Sequence, residues 1–151
     1  MSHRANALAV RLEQGAHALA TLANAREREP RNAMILVDVG TAALMGGDAK
    51  RAREAFEAAL AVNPTVARAH SSLGFLDGEA GRVGEALEHW NKAIGLDAGE
   101  REDLLAQGAL LVRRGRSAQA RPYLELFVAS APTGATTRDV EQARRWLSAT
   151  K

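Results

Sequence analysis

The sequence predicts an all-α chain built as a solenoid of antiparallel helix pairs, and three observations predict it. From Ala33 to Pro64 the chain carries a pattern that returns when the frame moves by 34 residues. Leu36, Val39, Gly40, Ala52, Phe56, Ala59 and Pro64 are answered by His70, Leu73, Gly74, Ala86, Trp90, Ala93 and Ala98, and again by Leu104, Gln107, Gly108, Ala120, Leu124, Phe127 and Pro132. A fixed period holding two helix-sized segments is the signature of stacked helical hairpins. Apolar residues make up 46% of the chain while aromatics make up 4%, and alanine abounds, a composition that suits close helix–helix packing better than a sheet core. Nowhere does the pattern predict a strand.

The elements follow in order. Residues 2–14 and 16–29 read as a helical pair, with Ala5, Leu8, Ala9 and Leu12 on one face and Ala18, Leu22 and Ala25 on the opposing one. Gly15 lies two residues nearer Pro30 than Gly47 lies to Pro64, so this first repeat is degenerate. The next pair is expected at 33–46 and 49–62, where Gly46-Gly47 ends the first helix and Asp48 caps the second. A third, at 67–80 and 83–96, is glycine-rich, and its Asp77 must either reach the solvent edge or pair with an arginine. The fourth, at 101–114 and 117–130, turns at Arg114-Gly115-Arg116 with Ser117 as its N-cap, and Pro122 falls one turn into its second helix. Thr136 or Thr137 caps a last helix running to about 149, whose Val140, Ala143, Trp146 and Leu147 cover the end of the array beside Phe127.

Gly40/Ala52, Gly74/Ala86 and Gly108/Ala120, with Phe56, Trp90 and Leu124, resemble the small and large packing positions of the tetratricopeptide repeat family. The resemblance implies a right-handed superhelical solenoid and a single domain over 1–151, divided into a degenerate repeat (1–32), three repeats (33–66, 67–100, 101–134) and a capping helix (135–151). The run Ala120 to Pro132 also resembles the end of repeat arrays attached to larger bacterial proteins, sulfatase-like hydrolases among them.

Chemistry is sparse. There is no cysteine, so disulfides and thiolate metal sites are excluded. The histidines at 3, 17, 70 and 89 lack the spacing of a helical metal site, and His70 reads as a packed histidine with a hydrogen-bond partner. No phosphate-binding glycine loop and no nucleophile oriented by a base is present, so an enzymatic role, a metal and a cofactor are not expected. A formal charge of +2 does not demand a polyanion partner. The arginines at 113, 114, 116 and 121 are interleaved with acids, and nucleic acid is not an expected partner. The N-terminal apolar run is broken by Arg11 and Glu13, and the longest apolar stretch, from Ala33 to Gly47, contains Asp38 and is too short to cross a bilayer, so a cytoplasmic location is expected.

The repeat resemblance implies a concave groove lined by the first helix of each pair. Carried over by position, this gives Met34, Val37, Asp38, Thr41, Leu44 and Met45, then Arg68, Ser71 and Phe75, then Leu105, Ala109 and Val112. The Lys and Asn clamp with which some of these repeats grip a chaperone's C-terminus is absent, since Asp38, Ser72, Glu102 and Ala106 stand there. AMILVDVGTAALM is apolar around nearly its whole circumference, more than one packed face explains. The expectation is a non-catalytic module binding an apolar peptide or helix of a partner protein. The alternative is a structural module whose groove is buried by self-association, as a homo-oligomer or within a larger protein, or by its own terminal helices.

Overall fold

The computed structural model describes residues 3–134 and 137–149, with the backbone alone for 3–9, 11 and 12. Among them are eight helices and no strand: α1 His3–Arg28, α2 Ala33–Met45, α3 Ala49–Val62, α4 Ala67–Glu79, α5 Val83–Leu96, α6 Glu100–Arg113, α7 Ser117–Ala129 and α8 Arg138–Ala149. The chain groups into two compact units, Met1–Ala69 and His70–Lys151.

In the first unit α2 packs against both α1 and α3. Gly40 makes the α2–α3 approach possible, because a Cβ there would stand 2.6 Å from Cε1 of Phe56, whose ring is fully buried. The expected pair at 2–14 and 16–29 is instead one helix of 26 residues. Gly15 is not a turn: it is buried within α1, where an added Cβ would meet Gly46 N at 2.8 Å and Ala42 O at 3.1 Å. Its missing side chain lets α1 cross the end of α2 closely, and the helix runs on until Arg26 and Arg28, whose charges suit a helix C-terminus. The face expected from Ala5, Leu8, Ala9 and Leu12 lies outside the described side chains.

The second unit repeats the device. An added Cβ at Gly74 would meet the Trp90 indole at 3.0 Å, and one at Gly108 would meet Leu124 Cδ2 at 2.7 Å. Trp90, Leu104, Tyr123, Leu124, Phe127, Val140 and Ala143 form one buried cluster, with Trp146 and Leu147 packed against it. Thus α8 closes the cluster over Phe127. Thr137 caps it, accepting from Val140 N at 3.4 Å, while Thr136 lies outside the described residues. Arg101 fixes the end of α7 by donating to Ser130 Oγ and to the Phe127 carbonyl, both at 3.0 Å, with its guanidinium 4.6 Å from the Phe127 ring centre.

Within each pair the joint is the same. After α2, Gly46 N bonds to Ala42 O, Gly47 N to Leu44 O and Asp48 N to Ala43 O. After α4 the same three bonds run from Ala80, Gly81 and Arg82, and after α6 from Arg114, Gly115 and Arg116. The central residue is left-handed each time, with φ of 79° at Gly47 and Gly81 and 73° at Gly115, where only glycine avoids a Cβ penalty. Asp48 caps α3 through Arg51 N at 3.0 Å. Ser117 does not cap α7: it is the first helical residue, and the cap position belongs to Arg116, which makes no side-chain capping bond.

Candidate interaction surface

The residues assigned to a groove divide sharply by exposure. On α2, Met34 is 56% exposed and Met45 48%. Asp38 and Thr41 are exposed between them, and Leu44 is half-buried. The spacing of Met34, Asp38, Thr41 and Met45 puts all four on one helix face, a stripe about 16 Å long at ~1.5 Å rise per residue. Thr41 Oγ1 is turned back onto the Val37 carbonyl at 2.9 Å, leaving the stripe its methyl group. Asp38 makes no hydrogen bond or ion pair among the described residues.

Val37 does not belong to this surface. It is 3% exposed, in the interior with Leu36 and Val39. The repeat pattern counts only the packing of α2 on its own partner, whereas α2 is flanked by α1 as well as α3. That second neighbour covers part of the helix's apolar circumference.

On the other assigned helices, Arg68 is exposed, but Ser71 is 3% exposed and buried rather than presented. Phe75, Leu105 and Val112 are half-buried and pack onto the core of the second unit, and Ala109 is half-buried.

A polar system that was only partly foreseen lies inside the second unit. Asp77 is 2% exposed and is held by Arg82, whose Nε and Nη2 donate to Oδ1 at 3.0 and 2.8 Å. A fork of this kind is what lets an ionised carboxylate stay buried. The Nε2 of His89 lies 3.8 Å from Oδ2 of the same carboxylate, and its Nδ1 lies 3.3 Å from Nδ1 of His70, so one imidazole donates and the other accepts. His70 is, as expected, a packed histidine with a partner.

Further along, Trp90 Nε1 donates to Gln107 Oε1 at 2.7 Å in a buried contact. A signal for this pair was present in the sequence: where the earlier repeat carries Phe56 it carries Trp90, whose N–H needs an acceptor when buried, and Gln107 replaces the apolar Val39 and Leu73 one repeat on. Tyr123, also buried, has its pKa raised, first by burial and then by the charges of Asp77 and Glu79. It therefore remains a neutral phenol at ordinary pH.

Among the described residues no cluster of three or more metal-ligating side chains occurs, and no helix is long and apolar enough to cross a membrane. No family model matches the chain, and no curated protein does. Among solved structures it is similar to MamA, known from a crystal structure, with 22% identity and a TM-score of 0.59 over 77% of this chain and 68% of that one. A likeness at that identity speaks to fold, and with the paired helices and repeated joints it shows that the chain has a helical-repeat fold of the tetratricopeptide type.

Proposed function

We propose that the chain is a non-catalytic protein-interaction module, and that α2 presents its binding surface. The observation that carries this reading is the pair of methionines, Met34 and Met45, exposed at the two ends of one helix face. Methionine adapts to varied apolar shapes, and its exposure at both ends of a stripe offers two anchor points. Between them stands Asp38, a carboxylate with no ion pair among the described residues. The chemistry fits a peptide or helix that brings an apolar residue to each end and a cation to the middle. A partner protein, in preference to a second copy, follows from that sign: the stripe carries no cation of its own with which to answer Asp38.

Selection of a displayed peptide library on the wild-type chain, counter-selected on a Met34→Ser/Met45→Ser variant, tests the reading. The expected survivors carry a lysine or arginine flanked by apolar residues, and bind the variant at least tenfold more weakly, since single anchors are worth about 1–2 kcal/mol. Survivors indifferent to the two methionines refute it. Light scattering read alongside reports self-association; a dimer that the same two substitutions dissolve makes the partner a second copy.

A further inference from the structure

A pocket of about 300 Å³ opens between the end of α4 with the turn after it, which supply Gly78, Glu79 and Gly81, and the first half of α7, which follows Arg116 and supplies Gln119 and Tyr123. It is separate from the α2 stripe and does not depend on the reading given to that surface. Tyr123 is the chain's one tyrosine, 1% exposed, and its hydroxyl has no hydrogen-bond partner among the described residues. The same is true of Gln107 Nε2. The orientation of that amide is fixed, because the Trp90 indole can only donate and takes the oxygen at 2.7 Å. The nitrogen therefore faces Gly78: a Cβ added there would collide with it and would stand 3.0 Å from the Tyr123 hydroxyl. Two buried donors without acceptors thus converge on one glycine of the pocket wall, and native proteins leave few such groups without a purpose.

Electrostatics narrow the ligand. Tyr123 is held as a phenol by burial and by the charges of Asp77 and Glu79, so its O–H is a donor set in a negative field. An incoming carboxylate meets those two charges at a cost that Arg116, in the same lining, offsets only in part, whereas a neutral oxygen meets no such cost. Glu79, in the pocket wall, is paired with Arg114 at a loose 3.4 Å on the exposed side, and its carboxylate has lone pairs left to accept from a ligand beside the Tyr123 donor. The neutral side-chain group that carries an acceptor oxygen and donor hydrogens side by side is the carboxamide.

We propose that this pocket binds the carboxamide of a glutamine or asparagine side chain from a partner polypeptide, its oxygen accepting from the Tyr123 hydroxyl and its nitrogen donating to Glu79. The hydroxyl is covered in the free chain, so the ligand enters by pressing back the Gly78–Gly81 turn, which has no side chain at either end.

The test is a titration of the full ¹⁵N-labelled chain with acetyl-glutamine methylamide, with acetyl-glutamate methylamide as the anionic control. The expected result is a saturable shift of the Gly78, Gly81, Arg116 and Gln119 amides by the glutamine probe. Tyr123→Phe, which removes one hydrogen bond, weakens it about three- to tenfold without lowering the thermal midpoint, and the glutamate probe is weaker by a similar factor. Glu79→Gln, a surface change, narrows the preference for glutamine over glutamate. The proposal is overturned by no shift at these amides, by equal binding to Tyr123→Phe, or by tighter binding of the glutamate probe.

Discussion

Adding one methyl group at Gly40 puts the helix-pair geometry to a quantitative trial. The new Cβ of Gly40→Ala would stand 2.6, 2.7 and 2.9 Å from Cε1, Cδ1 and Cζ of Phe56. Carbon pairs prefer about 3.5–4.0 Å, so α2 and α3 must part locally by about 1 Å or the ring must turn. Phe56 is fully buried, so the ring has no open side into which to move. Overpacking of this kind costs about 1–3 kcal/mol, offset by up to ~1 kcal/mol from the better helix propensity of alanine. The expected net loss is about 1–2 kcal/mol, a sizeable share of the ~5–15 kcal/mol that holds a domain folded. Urea denaturation followed by far-UV circular dichroism reads it directly. Gly84→Ala and Gly95→Ala supply the contrast, since an added Cβ at either meets nothing within 4 Å; both should be neutral or gain up to ~1 kcal/mol. At Gly108 the obstacle is the equally buried Leu124, with one atom, Cδ2 at 2.7 Å, nearer than 3.0 Å where Phe56 has three, so the loss should be smaller than at Gly40. If Gly40→Ala proves as stable as the wild type, the close approach of α2 to α3 is not what the sequence is built around.

Three further outcomes are expected. Deleting residues 138–151 uncovers Phe127 and removes Val140 and Ala143 from the core, which should cost about 2 kcal/mol or more and promote aggregation, measured by denaturation and light scattering. An equally stable monomer would show that α8 does not close the core. Because the folded pKa of Tyr123 lies above its ordinary 10.0, its contribution to stability is complete below that value and is lost as the pH rises through the folded pKa. Denaturation midpoints should therefore fall on the alkaline side in the wild type and less so in Tyr123→Phe; matching alkaline profiles would contradict the shift. Finally, Met34→Ser and Met45→Ser should leave the melting temperature within a degree or two, whereas Val37→Ser, at a site only 3% exposed, should lower stability by about 2 kcal/mol or more, and equal melting of all three would undo the division of α2 into faces.

Much of the architecture could be read from the residues because the period is written in glycines and aromatics that touch one another. Gly40 against Phe56 and Gly74 against Trp90 are pairs whose sizes only make sense together. The turns were legible for a similar reason, since Gly47, Gly81 and Gly115 take a conformation that other residues resist. What escaped was the meaning of a glycine without that context. Gly15 has the spacing of a turn but sits inside a helix, and only the position of Gly46 opposite it shows why. The surface was less legible than the core. A repeat pattern records the contacts between a helix and its own partner, so the covering of α2 by α1, and with it the burial of Val37, had no signature within the repeat. Asp77 announced that it needed a cation without naming Arg82, five residues on at the cap of the next helix.

The identical joints after α2, α4 and α6 bear on how such a chain changes length. Each is closed by the same three backbone bonds around one left-handed glycine, and the links that lead from one pair to the next are alike too, with Asn63 Oδ1 accepting from Thr65 N and Asp97 Oδ1 from Gly99 N. A duplication or loss of 34 residues, beginning at any point in the period, rejoins matching halves and leaves every joint intact. One residue more or less inside a helix turns everything beyond it by about 100° and swings the packing face into solvent. Length in this fold is therefore a counted quantity, altered by whole periods. The counting stops after α7: Pro132 keeps the register of Pro64 and Ala98, but a left-handed glycine, Gly134, follows it where neither earlier link has one, before a helix that belongs to no pair.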